Sequence, residues 1–414
     1  MWQVQWNRWV FWVYLAITPI IYSLKPSMDL RQSQMLAFHT LGMMFCVTLT
    51  RNIWITLFFF LNLLLLFTTG FETGQGQTAS LFIAICIFIS CRALFKKIHF
   101  MKETNILLGI GVISAIWMGL QMLGIDPLYM GQDGAGKRIM GLTFSDPIGL
   151  FGLKAHNAIF FAILIPILAH RNIFYTLPCF IPIWISRSSG AGLAGAVALM
   201  FVVYYFKRRW FKWILALGLI FCVLFIGFKD RNMDRATFNS RFHVWHSAVK
   251  FSFQKPLGWG PDSWSQITRD KKFQFHGDQD QNHWIRYETD KGSQFRYYNP
   301  NIGKASHPDE KITSKLDQKK SWSHWDSPHN EYLQILFEYG FIGLFIFIMF
   351  MKELIYRFRN TVKTKELIVI TGCLLVYATS SITQFPLHVA RLGFLFPVLL
   401  GAFFAQTDRN GGTL

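Results

Sequence analysis

Apolar runs long enough to cross a bilayer recur along the whole chain, separated by short polar connections and by one polar stretch of about a hundred residues, 229–328. A membrane-spanning helix needs roughly 17–25 mostly apolar residues. Runs of that kind lie near 9–24, 33–50, 53–70, 79–95, 104–124, 156–170, 172–186, 190–206, 211–228, 331–350, 366–384 and 392–406. The pattern therefore predicts an all-α polytopic membrane protein of about twelve spans with one large water-exposed loop. Nine spans fall in 1–228, the loop in 229–328, and three spans with a short tail in 329–414. Segment 172–186 is short and carries Pro178 and Pro182, so the pattern leaves its full crossing open, and the topology depends on it. The first run has no small-residue cleavage site before Lys25 and reads as a retained helix.

Basic residues then orient the chain. With the N-terminus inside, the inner connections hold Arg92, Lys96, Lys97 and Lys102, then Lys207, Arg208, Arg209 and Lys212, then Lys352, Arg357, Arg359, Lys363 and Lys365. The opposite short connections are poorer, and 71–79 has no Lys or Arg. Excess basic charge marks the cytoplasmic side, which puts both ends inside and the 229–328 loop outside.

Composition sharpens this picture. Over half of the residues, 52%, are hydrophobic and only 15% are charged, unlike a soluble domain. The net charge of +18 is largely the inner basic clusters, although 229–328 also holds 17 Lys and Arg against 12 Asp and Glu. That surplus suits an anionic partner such as a phosphate or acidic glycan. Nucleic acid is excluded as a partner, because no basic stripe stands on a soluble reading module. All six cysteines fall in the predicted spans, so the loop has neither a disulfide framework nor a zinc cluster.

Ionisable groups are sparse in such a chain, so those at span boundaries carry most of the chemistry. His329 follows Pro328 and precedes Asn330 and Glu331 at the mouth of a span. A neutral imidazole there could accept a proton from a hydroxyl, or simply cap a helix in the wet interface. Arg187 lies in a connection of a few residues, Trp184 to Gly192, where its fork could hold two phosphate oxygens beside a helix N-terminus, or snorkel to lipid phosphates. Arg241 stands four residues before Trp245 where the loop returns toward the membrane, either as half of a diphosphate clamp or as a solvated charge. Residues 240–251 are amphipathic, with Phe242, Trp245, Val249 and His246 on one stripe that could lie along the membrane surface. Glu338 is a carboxylate inside a span, functional by default or bonded to a neighbouring helix. Asp278 and Asp280, flanked by His276 and His283, form a short acidic pattern that reads as solvated loop rather than a metal site. Glycine-rich 131–138 lacks the spacing of a phosphate loop and has no βα unit around it.

Taken in order, several pieces carry a resemblance: Gly141 to Phe144 with His156 and Asn157, Ser186 to Gly190 around Arg187, Arg241 with Trp245, Pro256 to Gly260 (PLGWG), and His329 to Leu333 (HNEYL) with Glu338 to Gly340. This ordered set resembles the O-antigen ligase superfamily, which includes O-antigen polymerases and bacterial protein O-oligosaccharyltransferases; it covers roughly 138–345. The resemblance implies a GT-C-like membrane glycosyltransferase of the bacterial inner membrane, without cofactor or metal, whose active site faces the periplasm. It would take a glycan from an undecaprenyl diphosphate carrier and move it to an acceptor hydroxyl, a lipid A-core sugar, another glycan or a protein serine. His329 would match the family's essential histidine and Arg187 and Arg241 its diphosphate-holding arginines, with Asn330, Glu338 and Asn157 in supporting places. Two departures stand out. Ala155-His156-Asn157 replaces the more usual Asn-Pro-Asn type of stretch. The Arg-x10-Gly spacing of the polymerases is absent, with Ala198 and Ser252 in place of the glycine, which favours a ligase. Outside enzymes, the alternative is a transporter of a lipid-linked or anionic substrate; no inverted repeat is visible in the sequence. Acceptor, sugars and oligomeric state are not written in the pattern.

Overall fold

The computed structural model describes residues 5–13, 73–123, 137–139, 142–144, 149–151, 154–186, 188–209, 211–212, 231–260, 263–264, 267, 283–289, 292–299, 304–305, 328–384, 386 and 393–410. Predicted spans 33–50 and 53–70, most of those at 9–24 and 211–228, Arg187, Asp278 and Asp280 lie outside the described residues. The described helices are α1 (5–13), α2 (Thr73–Phe95), α3 (Phe100–Met122), α4 (Lys154–Arg171), α5 (Leu177–Ile185, after a 3-10 turn over Ile173–Thr176), α6 (Ser189–Phe206), α7 (Arg231–Gln254), α8 (Glu331–Asn360), α9 (Lys365–Ser380) and α10 (Leu395–Asn410). The chain divides into two compact units, Met1–Phe221 with Ile348–Leu414, and Cys222–Phe347.

The first unit is built around α4. From Ala158 to Ile167 that helix is apolar on every side and buried on every side, as an interior helix must be. It packs against α3, α6 and α9, while α2 packs against α10. Glycines allow the close approaches. A Cβ at Gly372 of α9 would come within 2.9 Å of Pro166, and one at Gly195 of α6 within 2.7 Å of Ile165. Small residues at helix crossings are how helices pack tightly where lipid removes the hydrophobic drive between them.

Among the described residues three helices, α3, α6 and α8, are long and apolar enough to cross a membrane, and each is mostly unburied. On α3 Val112, Ile113 and Ile116 are all exposed, an apolar surface that suits lipid rather than water. The protein is therefore a membrane protein, mostly helical.

Polar groups gather at one end of the first unit. Asp408 at the end of α10 accepts Arg92 Nη2 at 2.7 Å, Lys96 Nζ lies at 3.1 Å, and Arg357 Nη1 at 3.3 Å. Glu366 accepts the Met101 backbone N–H at 3.1 Å, faces His99 at 3.4 Å and takes the Gln406 amide. Buried Glu103 accepts Arg8 Nε at 3.0 Å and the Trp12 indole N–H, and Arg171 reaches Asn105 at 2.6 Å. Connections that the basic pattern assigns to one side thus meet at one end of the helices.

That organisation also shows what segment 172–186 does. His170 near the end of α4 stacks on Phe206 at the end of α6, centroids 5.3 Å apart. The start of α6 lies elsewhere: Gly190 abuts Thr383, just past the end of α9. The 3-10 turn and α5 therefore carry the chain from one end of α6 to the other, a rise of about 27 Å for its 18 residues. The segment traverses the bundle despite only nine residues of α-helix.

The Asp408 cluster makes a stability prediction. Burial alone would raise the Asp408 carboxyl, but hydrogen bonds and charge from Arg92 and Lys96 outweigh it and hold the carboxyl below its ordinary value. A depressed carboxylate stabilises above its unfolded value near 3.9 and loses that contribution as pH falls through its folded value. Asp408→Asn is expected to lower stability by about 1–3 kcal/mol at pH 7, read as a lower unfolding midpoint in detergent, with the gap to wild type closing at acid pH.

In the second unit the loop, read from sequence as helix and coil, also contains strands. β3 (His283–Thr289) pairs antiparallel with β4 (Gly292–Asn299), with Thr289 opposite Gly292, and β4 pairs with β5 (Lys304–Ala305). In the first unit β1 (Lys137–Ile139) pairs with β2 (Leu142–Phe144), so the glycine-rich segment leads into a hairpin. The second unit also takes in Glu331–Phe347, the first part of α8, which the sequence boundary at 329 assigns to the membrane part.

Candidate active site at the start of α8

His329 sits between two pinned peptides. The Trp245 indole N–H donates to the Pro328 carbonyl at 2.9 Å, and Asn330 Oδ1 caps α8 by accepting the Leu333 N–H at 3.1 Å. Between them His329 adopts φ 49, in the left-handed region, and among the described residues no other non-glycine does so. That conformation costs about 1–2 kcal/mol for an L-residue, and it persists only where surroundings over-determine it, commonly at functional sites. Histidine is also one of the side chains enriched there, which is the sequence-level signal. The ring is partly exposed, with Nδ1 buried.

Beyond the cap, Glu331, Gln334 and Glu338 fall at i, i+3 and i+7 on one face of α8, and all three are buried. Gln334 Nε2 donates to Glu338 Oε1 at 2.9 Å. Glu338 is thus tied to its own helix, and sequence reasoning missed Gln334, its partner one turn earlier.

Gly340 ends this stretch with φ 68 and ψ −166. The break releases backbone groups that a regular helix would pair internally, and residues 256–260 take them up. Phe341 N–H donates to Pro256 O at 2.9 Å, Trp259 N–H to Phe337 O at 3.0 Å, and Gly260 N–H to Glu338 O at 2.9 Å. A Cβ at Gly258 would run into the Glu338 carbonyl, and one at Gly340 into the Pro256 carbonyl. The PLGWG stretch and Glu338-Tyr-Gly340 are two halves of one backbone interlock. Phe337 is stacked on Trp259 at 6.1 Å and edge-on to Trp264 at 4.8 Å, over a small core with Val244 and Ala248 of α7. Gly340→Ala is expected to destabilise by at least about 1–2 kcal/mol from its positive φ alone. Its unfolding midpoint should fall, whereas Leu257→Ala, at an exposed site in the same turn, should leave the midpoint unchanged.

Arg241 lies on α7 one turn before Trp245, on the same face, and so close along the helix to the peptide that fixes His329. Its Nε is buried with no hydrogen-bond partner, and no ion pair to Arg241 exists among the described residues. Burial pushes its guanidinium below the ordinary value.

Asn157 has a place in the first unit. It is fully buried, accepts Ser114 Oγ at 2.7 Å, donates to the Met118 sulfur, and fills the space where Gly149 would carry a Cβ. Those contacts seat α3 and the 149–151 turn on α4. Arg187 lies outside the described residues; its neighbours Ser186 and Ser188 have buried hydroxyls with no partner among the described residues. No cluster of three or more metal-ligating side chains occurs among the described residues either. No protein-family model matches the chain, and no curated protein matches it.

Proposed function

We propose that this chain is a metal-independent, GT-C-like membrane glycosyltransferase of the O-antigen ligase type, with about twelve spans and its 229–328 loop in the periplasm. It moves a glycan from undecaprenyl diphosphate to an acceptor hydroxyl, a lipid A-core sugar before a polymer or protein serine. The observation that carries the reading is His329, held in a strained left-handed conformation and pinned on both sides at the mouth of a membrane helix. Arg241, a cation without a counter-ion among the described residues, supports a diphosphate beside it.

The chemistry follows from these groups. Neutral His329 takes the proton of the acceptor O–H as that oxygen attacks the anomeric carbon. The bond from that carbon to the diphosphate oxygen breaks, and undecaprenyl diphosphate leaves as an anion whose charge Arg241 and Arg187 hold. Attack opposite the leaving group inverts the anomeric centre. Purified protein incubated with lipid-linked glycan and, in parallel, lipid A-core, pilin-type peptide and free glycan tests the reading. Glycan should appear on lipid A-core first; no transfer to any acceptor would refute the assignment.

A further inference from the structure

The basic end of the first unit divides into two halves. In one, around the ends of α2, α8 and α10, carboxylates are interleaved with the cations. Asp408 holds Arg92, Lys96 and Arg357, and Glu353 takes Arg357 Nε at 2.6 Å. Glu366 is occupied by Met101, His99 and Gln406, and Glu103 by Arg8 and Trp12. In the other half, around the ends of α4 and α6 and the start of α9, Arg171, Lys207, Arg208, Arg209 and Lys365 are exposed. Arg171 donates to the neutral Asn105, and no ion pair to any of the five exists among the described residues.

Aromatic rings join these cations into one surface. The His170 ring, stacked on Phe206, lies within electrostatic range of both Arg171 and Lys365. Tyr205 stands edge-on to Phe358 of α8 at 5.9 Å, and Phe201 packs on the same ring at 5.7 Å. The Arg208 guanidinium lies 5.8 Å from the ring centroid of Tyr204, which is itself exposed.

α6 sets the depth of this surface. Ser189–Phe206 holds no charged residue, and its 18 residues rise about 27 Å, close to a bilayer's hydrocarbon thickness. Tyr204 and Tyr205 in its last turn fall where amphipathic rings gather, at headgroup level. Lys207, Arg208 and Arg209 follow directly, at the level of lipid phosphates. Orienting a chain needs basic charge alone; it needs neither the ring beneath Arg208 nor a half without carboxylates.

We propose that the end of α6, with Arg171 and Lys365 beside it, binds the headgroup of an anionic phospholipid. The lipid phosphate accepts hydrogen bonds from Arg208 and the neighbouring cations, while the acyl chains lie along the bundle. The site rests on α6 crossing the membrane and not on the transfer chemistry, so either can fail alone.

Purified full-length protein in detergent, titrated with phosphatidylglycerol, phosphatidylcholine or free glycerol phosphate and read by native mass spectrometry, tests it. Phosphatidylglycerol should bind at least about tenfold tighter than phosphatidylcholine, since several cations face one phosphate. Glycerol phosphate should not be retained. Arg208→Gln and Lys365→Gln should each weaken phosphatidylglycerol about fivefold, the effect of one cation at an anionic surface, and leave phosphatidylcholine unchanged. Lys97→Gln, which removes an exposed charge from the half that holds Asp408, should bind as wild type does. Equal weakening by all three variants would show diffuse attraction to charge and overturn the proposal. No loss with Arg208→Gln, equal binding of the two lipids, or glycerol phosphate held as tightly as the lipid would overturn it too.

Discussion

His329→Ala is expected to abolish glycan transfer while leaving expression and binding of the lipid-linked donor close to wild type. An acceptor hydroxyl is a poor nucleophile at neutral pH, and a positioned base contributes on the order of 10²–10⁴-fold. The peptides on either side of His329 are fixed by Trp245 and by the Asn330 cap, so the alanine variant keeps the start of α8 in place. Replacing it by a side chain without a basic nitrogen also relieves none of the φ constraint, because alanine dislikes the left-handed region as well. His329→Gly separates the two contributions: it removes the strain and the base together, so stability should rise or hold while transfer stays lost. Wild-type turnover in His329→Ala would leave His329 as a residue of the helix start alone, with Glu338 the next base to test.

Arg241→Lys is expected to cut transfer at least about tenfold even though charge is kept. Lysine is a point charge that cannot grip two phosphate oxygens at once, and the guanidinium is already partly buried with its Nε unsatisfied. Losing one charge-assisted hydrogen bond costs about 1.5–3 kcal/mol, which is the scale of a tenfold to hundredfold loss. Arg187→Lys should behave alike if both arms hold the same diphosphate. Donor affinity and turnover measured separately decide the matter: full activity in both variants would sink the clamp.

The helical, membrane-spanning character of the chain was legible because it rests on period and length alone. The run at 366–384 is α9 over Lys365–Ser380, and the run at 190–206 is α6 over Ser189–Phe206. The basic connections also fall at one end of the first unit as their charge implies. What the sequence hid depends on partners far along the chain. The break at Gly340 interrupts an apolar run that reads as continuous, and it is intelligible only once residues 256–260 supply the replacement hydrogen bonds. On α7 the stripe read from sequence leaves Phe242 and His246 exposed, while the buried stripe is Val244, Ala248 and Ser252, with Val244 and Ala248 packed against Trp264 and Phe337. The β3–β5 ladder escaped notice because its residues are mixed in polarity. At the site, His329, Arg241, Asn330 and Glu338 stood out as polar groups at a span boundary, while Trp245 and Gln334, which hold two of them, gave no signal of that role.

The central claim is that a glycosidic bond to a diphosphate is broken at this membrane, rather than an intact lipid-linked glycan being moved across it. Vesicles containing the purified protein, radiolabelled undecaprenyl-diphosphate-linked glycan and lipid A-core acceptor separate the two. The account predicts one undecaprenyl diphosphate released for each glycosylated acceptor formed, strictly dependent on acceptor and absent with His329→Ala. Intact donor appearing on the opposite leaflet, with no acceptor glycosylated and no free undecaprenyl diphosphate, would contradict it.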